Sequence, residues 1–524
     1  MDEENEPNDG GSGRPYCKCY DISKLILHKK NSVKMADQLL IHDDIKLYTT
    51  SDKFYLEPTI NPTEILVIDR ITGDAAVKVK IPIPLHVYKP VCGFLGSIKL
   101  ISGLYLVVAK YRILIEDNNT YERMLKAALD TPGIYFSYGY DLTHTMQRLH
   151  SVPSEFHKNY SHQQFARFTL PIIQGFVAIN RVTVNGHQLS WSVVSRRSGN
   201  VANFVETEQI IERGGEKSSF VQTRGSIPLY WNQYPNLKYK PSIALSQEDH
   251  VTAYTSHLRD QVLRYGNQVL LNLIDQHGKE ESLERGYRAA VAAAALPSVR
   301  YEPFDFHAEC RGMRYDRLNV LMDRIAHEQT EFGYFLSRGG TILLRQVGVF
   351  RTNCVDCLDR TNVVQSLLAK RQLLAVLKLL AVIRDDEQHP HLDSLFNTIW
   401  ADHADMISTQ YSGTGALKTD FTRTGKRTRM GLLNDGINSL TRYYKNNFSD
   451  GFRQDSIDLL LGKYVIVDGE GNTALCPLRQ ERDWKHLAKW QTICGLASPG
   501  LCAGVLPRAS AAFMIADLPL VVVV

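Results

Sequence analysis

A cysteine, five residues, an arginine and a threonine form the spacing in this chain that could do chemistry: Cys354 to Arg360-Thr361. Upstream, Thr341–Leu344 and Val347–Phe350 are short apolar, partly β-branched runs that predict strand. Downstream, Val363, Leu367, Leu374 and Leu377 recur at helical spacing to about Leu380, with Lys370, Arg371 and Lys378 between them. The loop therefore falls where a strand hands over to a long helix. The first N–H groups of a helix lack intrahelical partners and its dipole adds positive charge there, so such a joint favours an anion. The backbone of Val355, Asp356, Cys357 and Leu358 can curl around one phosphate while Arg360 forks onto its oxygens. The same field favours thiolate, lowering a cysteine pKa to roughly 3.5–7.5. Cys354 is thus expected as an ionised nucleophile, with the Thr361 hydroxyl donating to its sulfur.

Displacing an alkoxide from phosphorus also needs an acid. Asp356 and Asp359 lie inside the loop, where a charged carboxylate would repel phosphate. It is tolerable if kept protonated, which makes it an acid, or if a basic residue pairs with it, which makes it a strut. We assign Asp356 as acid and Asp359 as strut. Asp305 and His307 are outside candidates, with His307 expected in a buried, hydrogen-bonded core role. Three other readings compete. Cys354 could be a small buried hydrophobe. Cys354 and Cys357 could be half a zinc site, but no second Cys-x-x-Cys follows at finger spacing, and Cys17 and Cys19 lie near the terminus. They could also be a redox pair, although Val355-Asp356 fills the gap and Arg360-Thr361 follows. No cofactor or metal is called for, because backbone and guanidinium can do the work of a cation.

The chain has 524 residues, which suggests two or three domains. With 44% apolar and 22% charged residues it reads as soluble and globular. Its nine cysteines form no disulfide framework, and a reactive thiol needs a reducing compartment. Residues 1–34 begin acidic and Gly-rich without an apolar signal segment, and are expected as a disordered extension. Met35 could be an alternative start. Residues 35–155 read as a mostly-β, antiparallel N-terminal domain, with β-rich runs from Phe54 to Lys110 and a short helix over Tyr121–Leu129. Residues 156–465 read as an α/β catalytic domain built on a buried sheet that carries the Cys-x5-Arg phosphate loop at a strand's carboxyl end. Within it, Asn185-Gly186 signals a type I′ hairpin, and His250–Asp275 and Tyr315–Phe332 are expected as helices. Residues 466–524 form a C-terminal tail. Its uncharged stretch between Lys489 and Arg508 holds three glycines and two prolines, so it is no clean membrane span.

Charge concentrates in Tyr411–Asp455, with eight Lys or Arg against four Asp. We expect Lys418, Arg423, Lys426 and Arg427 to rim the site and face an anionic bilayer, where each basic residue contributes about 1 kcal/mol. Gly413–Thr419 is no nucleotide loop, since no Gly precedes Lys418. Tyr443, Tyr444 and Phe448 come without a nucleic-acid fold signature, so no nucleic-acid partner is expected.

Arg351 to Asn362 (Arg-Thr-Asn-Cys-Val-Asp-Cys-Leu-Asp-Arg-Thr-Asn) resembles the signature of the Sac-domain phosphoinositide phosphatases. Tyr140–Thr145, Asn203–Gln209, Gln222–Pro228, Phe304–His307 and Thr414–Asp420 resemble further blocks of that family in the same order. The likeness runs from about Leu39 to Lys485 and is strongest to the endoplasmic-reticulum and Golgi branch, which acts on phosphatidylinositol 4-phosphate. It implies a phosphoinositide lipid substrate, possession of a phosphocysteine mechanism, and a catalytic part on the cytosolic side of those membranes. A catalytically impaired lipid-binding module and a protein-phosphotyrosine phosphatase remain alternatives. The chain looks abridged. Family material is missing between Lys110 and Tyr111, between Phe156 and Phe165, and between Ser198 and Asn203. Such losses from a sheet would be expected to expose edges or cavities costing several kcal/mol.

Overall fold

The computed structural model describes residues 41–461 and 520–523, apart from 61, 63, 80–86, 92, 101–102, 110–119, 152–164, 166, 198–203, 235–236, 238–240, 385–386 and 425. The expected 1–34 extension and all of the 466–524 tail but 520–523 lie outside the described residues. So do all three abridged joints.

The N-terminal part is built of antiparallel strands. Ile45–Thr49 (β1), Lys53–Pro58 (β2), Ile65–Asp69 (β3), Ala75–Lys78 (β4) and Lys89–Val91 (β5) form a sheet in the order β4-β3-β2-β1-β5. Gly93–Leu100 (β6) and Gly103–Ala109 (β7) form a hairpin to which Leu520–Val523 adds a strand. Alternation turns Leu47, Phe54, Leu56, Leu66 and Leu106 into one apolar cluster, which Phe168 closes.

A second, mixed sheet follows. Ile134–Phe136 (β8), Ile172–Val184 (β9), His187–Arg197 (β10), Val205–Arg213 (β11) and Glu216–Arg224 (β12) pair antiparallel. Asn185 and Gly186 both adopt positive φ (48° and 78°), as a type I′ turn requires. The β10–β11 ladder runs as far as Arg197 opposite Val205. Trp231–Asn232 (β13) and Ala244–Leu245 (β14) form a small ribbon. Beyond β12 the sheet turns parallel. Asn267–Asn272 (β15) and Val299–Pro303 (β16) join it, Phe335–Arg338 (β17) and Thr341–Leu344 (β18) hang from β12, and Gly348–Asn353 (β19) lies between β12 and β15. Every residue of β19 is buried, as expected for a central parallel strand covered on both faces.

The helices are Thr120–Leu129 (α1), Met146–Ser151 (α2), His250–Tyr265 (α3), Glu281–Ala294 (α4), Phe306–Glu309 (α5), Leu318–Arg324 (α6), Ala326–Phe332 (α7), Asp359–Leu379 (α8), Pro390–Ser412 (α9), Thr419–Thr424 (α10), Arg429–Phe448 (α11) and Asp450–Leu460 (α12). Two expected helices are corrected. The segment 250–275 stops at Tyr265, because Gly266 takes φ 77° and lies against the Val347 carbonyl, and the rest becomes β15. The segment 315–332 breaks at Ile325, where φ −111° and ψ 8° leave the helical region.

The helix α8 holds the fold's two large cores together. Val364 and Leu368 pack with Leu258, Tyr287 and Phe350, whereas Leu373 and Val376 pack with Trp191, Phe396 and Trp400. A helix apolar on two sides is buried, and its first turn is held rigidly. From α9, fully buried His403 bonds Ser195 (Nε2 to Oγ, 2.8 Å) and Asn362 at the start of α8 (Nδ1 to Oδ1, 3.2 Å). Burial, then Arg224, pushes the pKa of His403 well below the usual imidazole value. Unfolded, that imidazole takes a proton as pH falls through about 6.5; folded, it does not. The unfolded chain therefore binds more protons below that value, and stability must fall with falling pH. We expect urea stability to drop between pH 7 and pH 5, His403 contributing about 2 kcal/mol of the loss by linkage. His403→Gln should flatten the slope. An unchanged slope in that variant would contradict the assignment.

Candidate active site

The loop from Cys354 to Leu358 connects β19 to α8. It closes tightly because Cys357 adopts φ 54° and its sulfur bonds the Cys354 carbonyl at 3.4 Å. Cys354 is buried. Its Sγ donates to Asp356 Oδ1 at 3.2 Å and accepts from the Thr361 hydroxyl at 3.5 Å. Asp356 Oδ1 also accepts the Leu358 N–H at 3.1 Å. The second loop carboxylate has other company: Asp359 accepts from the Leu417 N–H at 2.9 Å and from Arg442 Nη1 at 3.2 Å. Burial pushes the Asp359 carboxyl up, and Arg442 opposes it.

Arg360 does not stand open towards the loop. Its Nη1 and Nη2 clasp the two oxygens of Glu280 at 2.9 and 3.0 Å, and Nη1 reaches Leu273 O at 3.1 Å and Asp275 Oδ1 at 3.4 Å. The expected ionised Cys354 is corrected on the same ground. Burial first, then the Asp356 charge, pushes its thiol up, and Arg360, turned to Glu280, only partly offsets them. This arrangement favours the thiol over the thiolate. Burial likewise raises the Cys357 thiol to about 11.

Beneath the loop lie two guanidinium groups that make no ion pair among the described residues. Arg224, fully buried, donates to Gln365 Oε1 (2.9 Å), Asn362 Oδ1 (3.2 Å) and the Cys357 carbonyl (3.5 Å). Its pKa is pushed down to about 10 by burial. Arg351, 1% exposed, donates to Ser226 O at 2.7 Å and meets His257 Nε2 at 3.2 Å, while its Nε and Nη1 find no partner among the described residues. Burial and Arg351 together push His257 down to about 3, so it stays neutral. Gln365 in turn binds the Thr223 carbonyl at 2.9 Å, tying α8 to β12.

A cleft of about 2180 Å³ opens over the loop. Val355, Asp356, Leu358, Asp359 and Arg360 line it, with Asp275, Lys279, Glu280, His307, Arg311, Lys418 and Arg442 around them. Cys354 and Cys357 sit just below that surface. Of the four expected rim cations only Lys418 lines the cleft. Arg423 is turned onto Asp402 (2.7 Å) and Asp405 (3.1 Å), and Arg427 onto Asp420 and Asp435 (2.6 Å to the latter), because local carboxylates neutralise them within the fold. Lys426 is exposed in the connection after α10, away from the cleft lining. His307 is corrected too. Its side chain is 55% exposed, with Nδ1 bonded to Asp275 Oδ1 at 2.7 Å. Asp305 caps α5 by accepting from Ala308 N (2.9 Å) and accepts from Gln276 N (2.9 Å), which ties α5 to the segment after β15.

The SacI homology domain profile matches residues 25–311 of the chain. The chain is 44% identical over 516 aligned positions to phosphatidylinositol-3-phosphatase SAC1 of Drosophila melanogaster, covering 85% of this chain and 87% of the relative. It is 42% identical to SAC1-B of Danio rerio, over 85% and 88%, and 34% identical to phosphoinositide phosphatase SAC6 of Arabidopsis thaliana, over 83% and 86%. The chain belongs to the SacI homology family. Its β-rich N-terminal part and α/β sheet are those of a Sac domain.

Within this Sac domain, sequence reasoning missed Glu280 and Asp275 as site residues and counted Arg442 only as one of the eight basic residues of Tyr411–Asp455, since each approaches the loop from a distant segment. Arg224 and Arg351 stood inside the blocks that carried the resemblance, but nothing in their spacing marked them as buried beneath the loop. Because Glu280 occupies the fork of Arg360, it competes with any oxyanion in the loop. Glu280→Gln should therefore raise the affinity for tungstate by about tenfold, the scale of one charge-assisted hydrogen bond. Calorimetric titration measures it. Weakened or unchanged binding would show that Glu280 holds Arg360 in place for the anion.

Proposed function

We propose that the chain is a phosphoinositide phosphatase that removes a monoester phosphate from the inositol headgroup, at the 4- or the 3-position, through a phosphocysteine. The observation that carries the reading is Cys354 at the β19–α8 joint, bonded to Thr361 and Asp356, with Arg360 in the same loop and two buried guanidiniums below. The names of the relatives support a phosphoinositide substrate. A wide cleft edged by Lys279, Arg311 and Lys418 suits a polyol headgroup at a lipid surface better than the slot a phosphotyrosine ring would need. The reading includes a catalytic part in the cytosol, at endoplasmic-reticulum or Golgi membranes, which the family resemblance supports. Among the described residues no helix is long and apolar enough to cross a membrane.

The chemistry follows from the contacts. On phosphate entry Arg360 exchanges Glu280 for two phosphate oxygens, and its charge, nearer the sulfur, favours thiolate. The thiol proton passes along the existing Sγ–H···Oδ1 bond to Asp356. That single transfer makes both the nucleophile and the acid. The thiolate then forms an S–P bond in line while the P–O bond to inositol breaks, and Asp356 returns its proton to the departing oxygen. Loop N–H groups and Arg360 hold the equatorial oxygens. Water next attacks phosphorus, Asp356 takes its proton, and the S–P bond breaks to release phosphate. Asp359, held by Arg442 and Leu417, stays out of the reaction.

A second reading, a module that binds phosphoinositide without turnover, is favoured by one observation: Glu280 clasps both Arg360 nitrogens that a phosphate would need. Phosphate release from a panel of phosphoinositides separates the two. We expect release from the wild type and none from Cys354→Ser, which should still bind lipid. Asp356→Asn should lose about 10²–10⁴-fold on an inositol phosphate, and clearly less on an aryl phosphate, whose leaving group needs little protonation. Equal losses on both esters would remove Asp356 as the acid.

A further inference from the structure

The helix α11 is amphipathic in the reverse sense. A surface helix normally turns its polar side to water. Here the polar side faces the protein: Asp435 accepts from the Lys418 N–H (2.9 Å) and Arg427 (2.6 Å), Arg442 donates to Asp359 (3.2 Å) and Ser408 (2.7 Å), and Lys445 donates to the Gly413 carbonyl (2.5 Å). The outward side carries Met430, Leu433, Ile437, Leu440 and Tyr444, spaced alternately by three and four residues, and each is between 52% and 67% exposed. That spacing makes one continuous stripe. Gly431 lets the helix start close to the rest of the fold, because a Cβ there would strike the Asp420 carboxylate.

We propose that this stripe is the surface by which the chain docks on an anionic phospholipid bilayer, with α11 lying in the headgroup–acyl boundary. The proposal rests on the phosphoinositide reading above and adds to it the element that meets the lipid. Two observations select a bilayer over a second copy or another protein. The first is charge. Lys426 and Arg429 are exposed at the stripe's N-terminal end, and Asp435, the one carboxylate between Arg429 and Phe448, is turned inward. The outward face is thus apolar and positive with no negative group of its own, which matches an interfacial helix on anionic lipid. The second is place. The opposite side of the same helix, through Arg442, Tyr443 and Asn446, lines the cleft over Cys354. With a helix about 10–12 Å across, the apolar stripe lies one helix width from the headgroup cavity. A bilayer seated on the stripe would present its headgroups to the cleft, and Tyr444 has the amphipathic ring suited to that boundary.

The test uses the full chain and vesicles of phosphatidylcholine and phosphatidylserine without phosphoinositide, so that binding needs no turnover. Leu433→Asp/Leu440→Asp should weaken vesicle association by about tenfold or more, the scale of lost apolar burial plus added negative charge. Turnover of a soluble dibutanoyl phosphoinositide should change less than twofold, which also reports that the fold is intact. The milder Leu433→Ser/Leu440→Ser should fall between. Unchanged vesicle association overturns the proposal. A shift from dimer to monomer on sedimentation with unchanged vesicle association overturns it as well, and assigns the stripe to a second copy. If the wild type fails on the soluble ester while the Asp variant still loses vesicle binding, the docking face stands and the phosphatase reading falls.

Discussion

Two buried positive charges beside the Cys354 loop, Arg224 and Arg351, make no ion pair among the described residues. A buried ion without a counter-ion is costly unless hydrogen bonds and a bound opposite charge relieve it. The structure supplies part of that relief: Gln365, Asn362 and the Cys357 carbonyl for Arg224, and Ser226 and neutral His257 for Arg351. Much of the local architecture follows. The parallel pairing of β12 with β19 sets Thr223 beside Arg351 and Arg224 beside Thr352. Gly225 packs closely here, since a Cβ would meet Arg351 Nη2 and Phe204 at 3.0 Å each and push those side chains back by a few tenths of an ångström. His403, Asn362 and Ser195 then fix the first turn of α8 from the other side. What remains unrelieved lies at Arg351, whose Nε and Nη1 have no partner among the described residues.

The same logic accounts for the state of the loop. Without an anion the strongest nearby partner for Arg360 is Glu280, and a buried sulfur beside Asp356 is better off protonated. In the proposed mechanism both preferences reverse when phosphate enters, because Arg360 then gains two oxygens close to the sulfur. The loop's two carboxylates are equivalent in type and three residues apart, yet Arg442 and Leu417 claim Asp359 while the thiol and Leu358 claim Asp356. One is a strut joining α8 to α11. The other, in the proposed mechanism, is the carboxylate that exchanges a proton with the thiol.

The strand, loop and helix around Cys354 were legible because they are local: β-branched runs, a helical period and a fixed Cys-to-Arg spacing. The Asn185-Gly186 hairpin was legible for the same reason. Long-range partners were not. Nothing near Arg360 announces Glu280, and nothing near Asp359 announces Arg442. The basic stretch misled more deeply. Counting charges in Tyr411–Asp455 treated every Lys and Arg as outward, whereas Arg423 and Arg427 spend their charge on Asp402, Asp405, Asp420 and Asp435. On α11 the outward residues are the apolar ones. A hydrophobic period locates a helix's apolar face, but only the tertiary structure tells whether that face is covered.

The central claim is that Cys354 takes the phosphoryl group. Rapid denaturing quench during turnover of a phosphoinositide, followed by mass-spectrometric mapping of peptides kept at alkaline pH, tests it directly. A phosphoryl adduct on the Cys354 peptide, absent in Cys354→Ser, is the expected result. Continued phosphate release with no adduct at any quench time, or with the adduct on another residue, would contradict it.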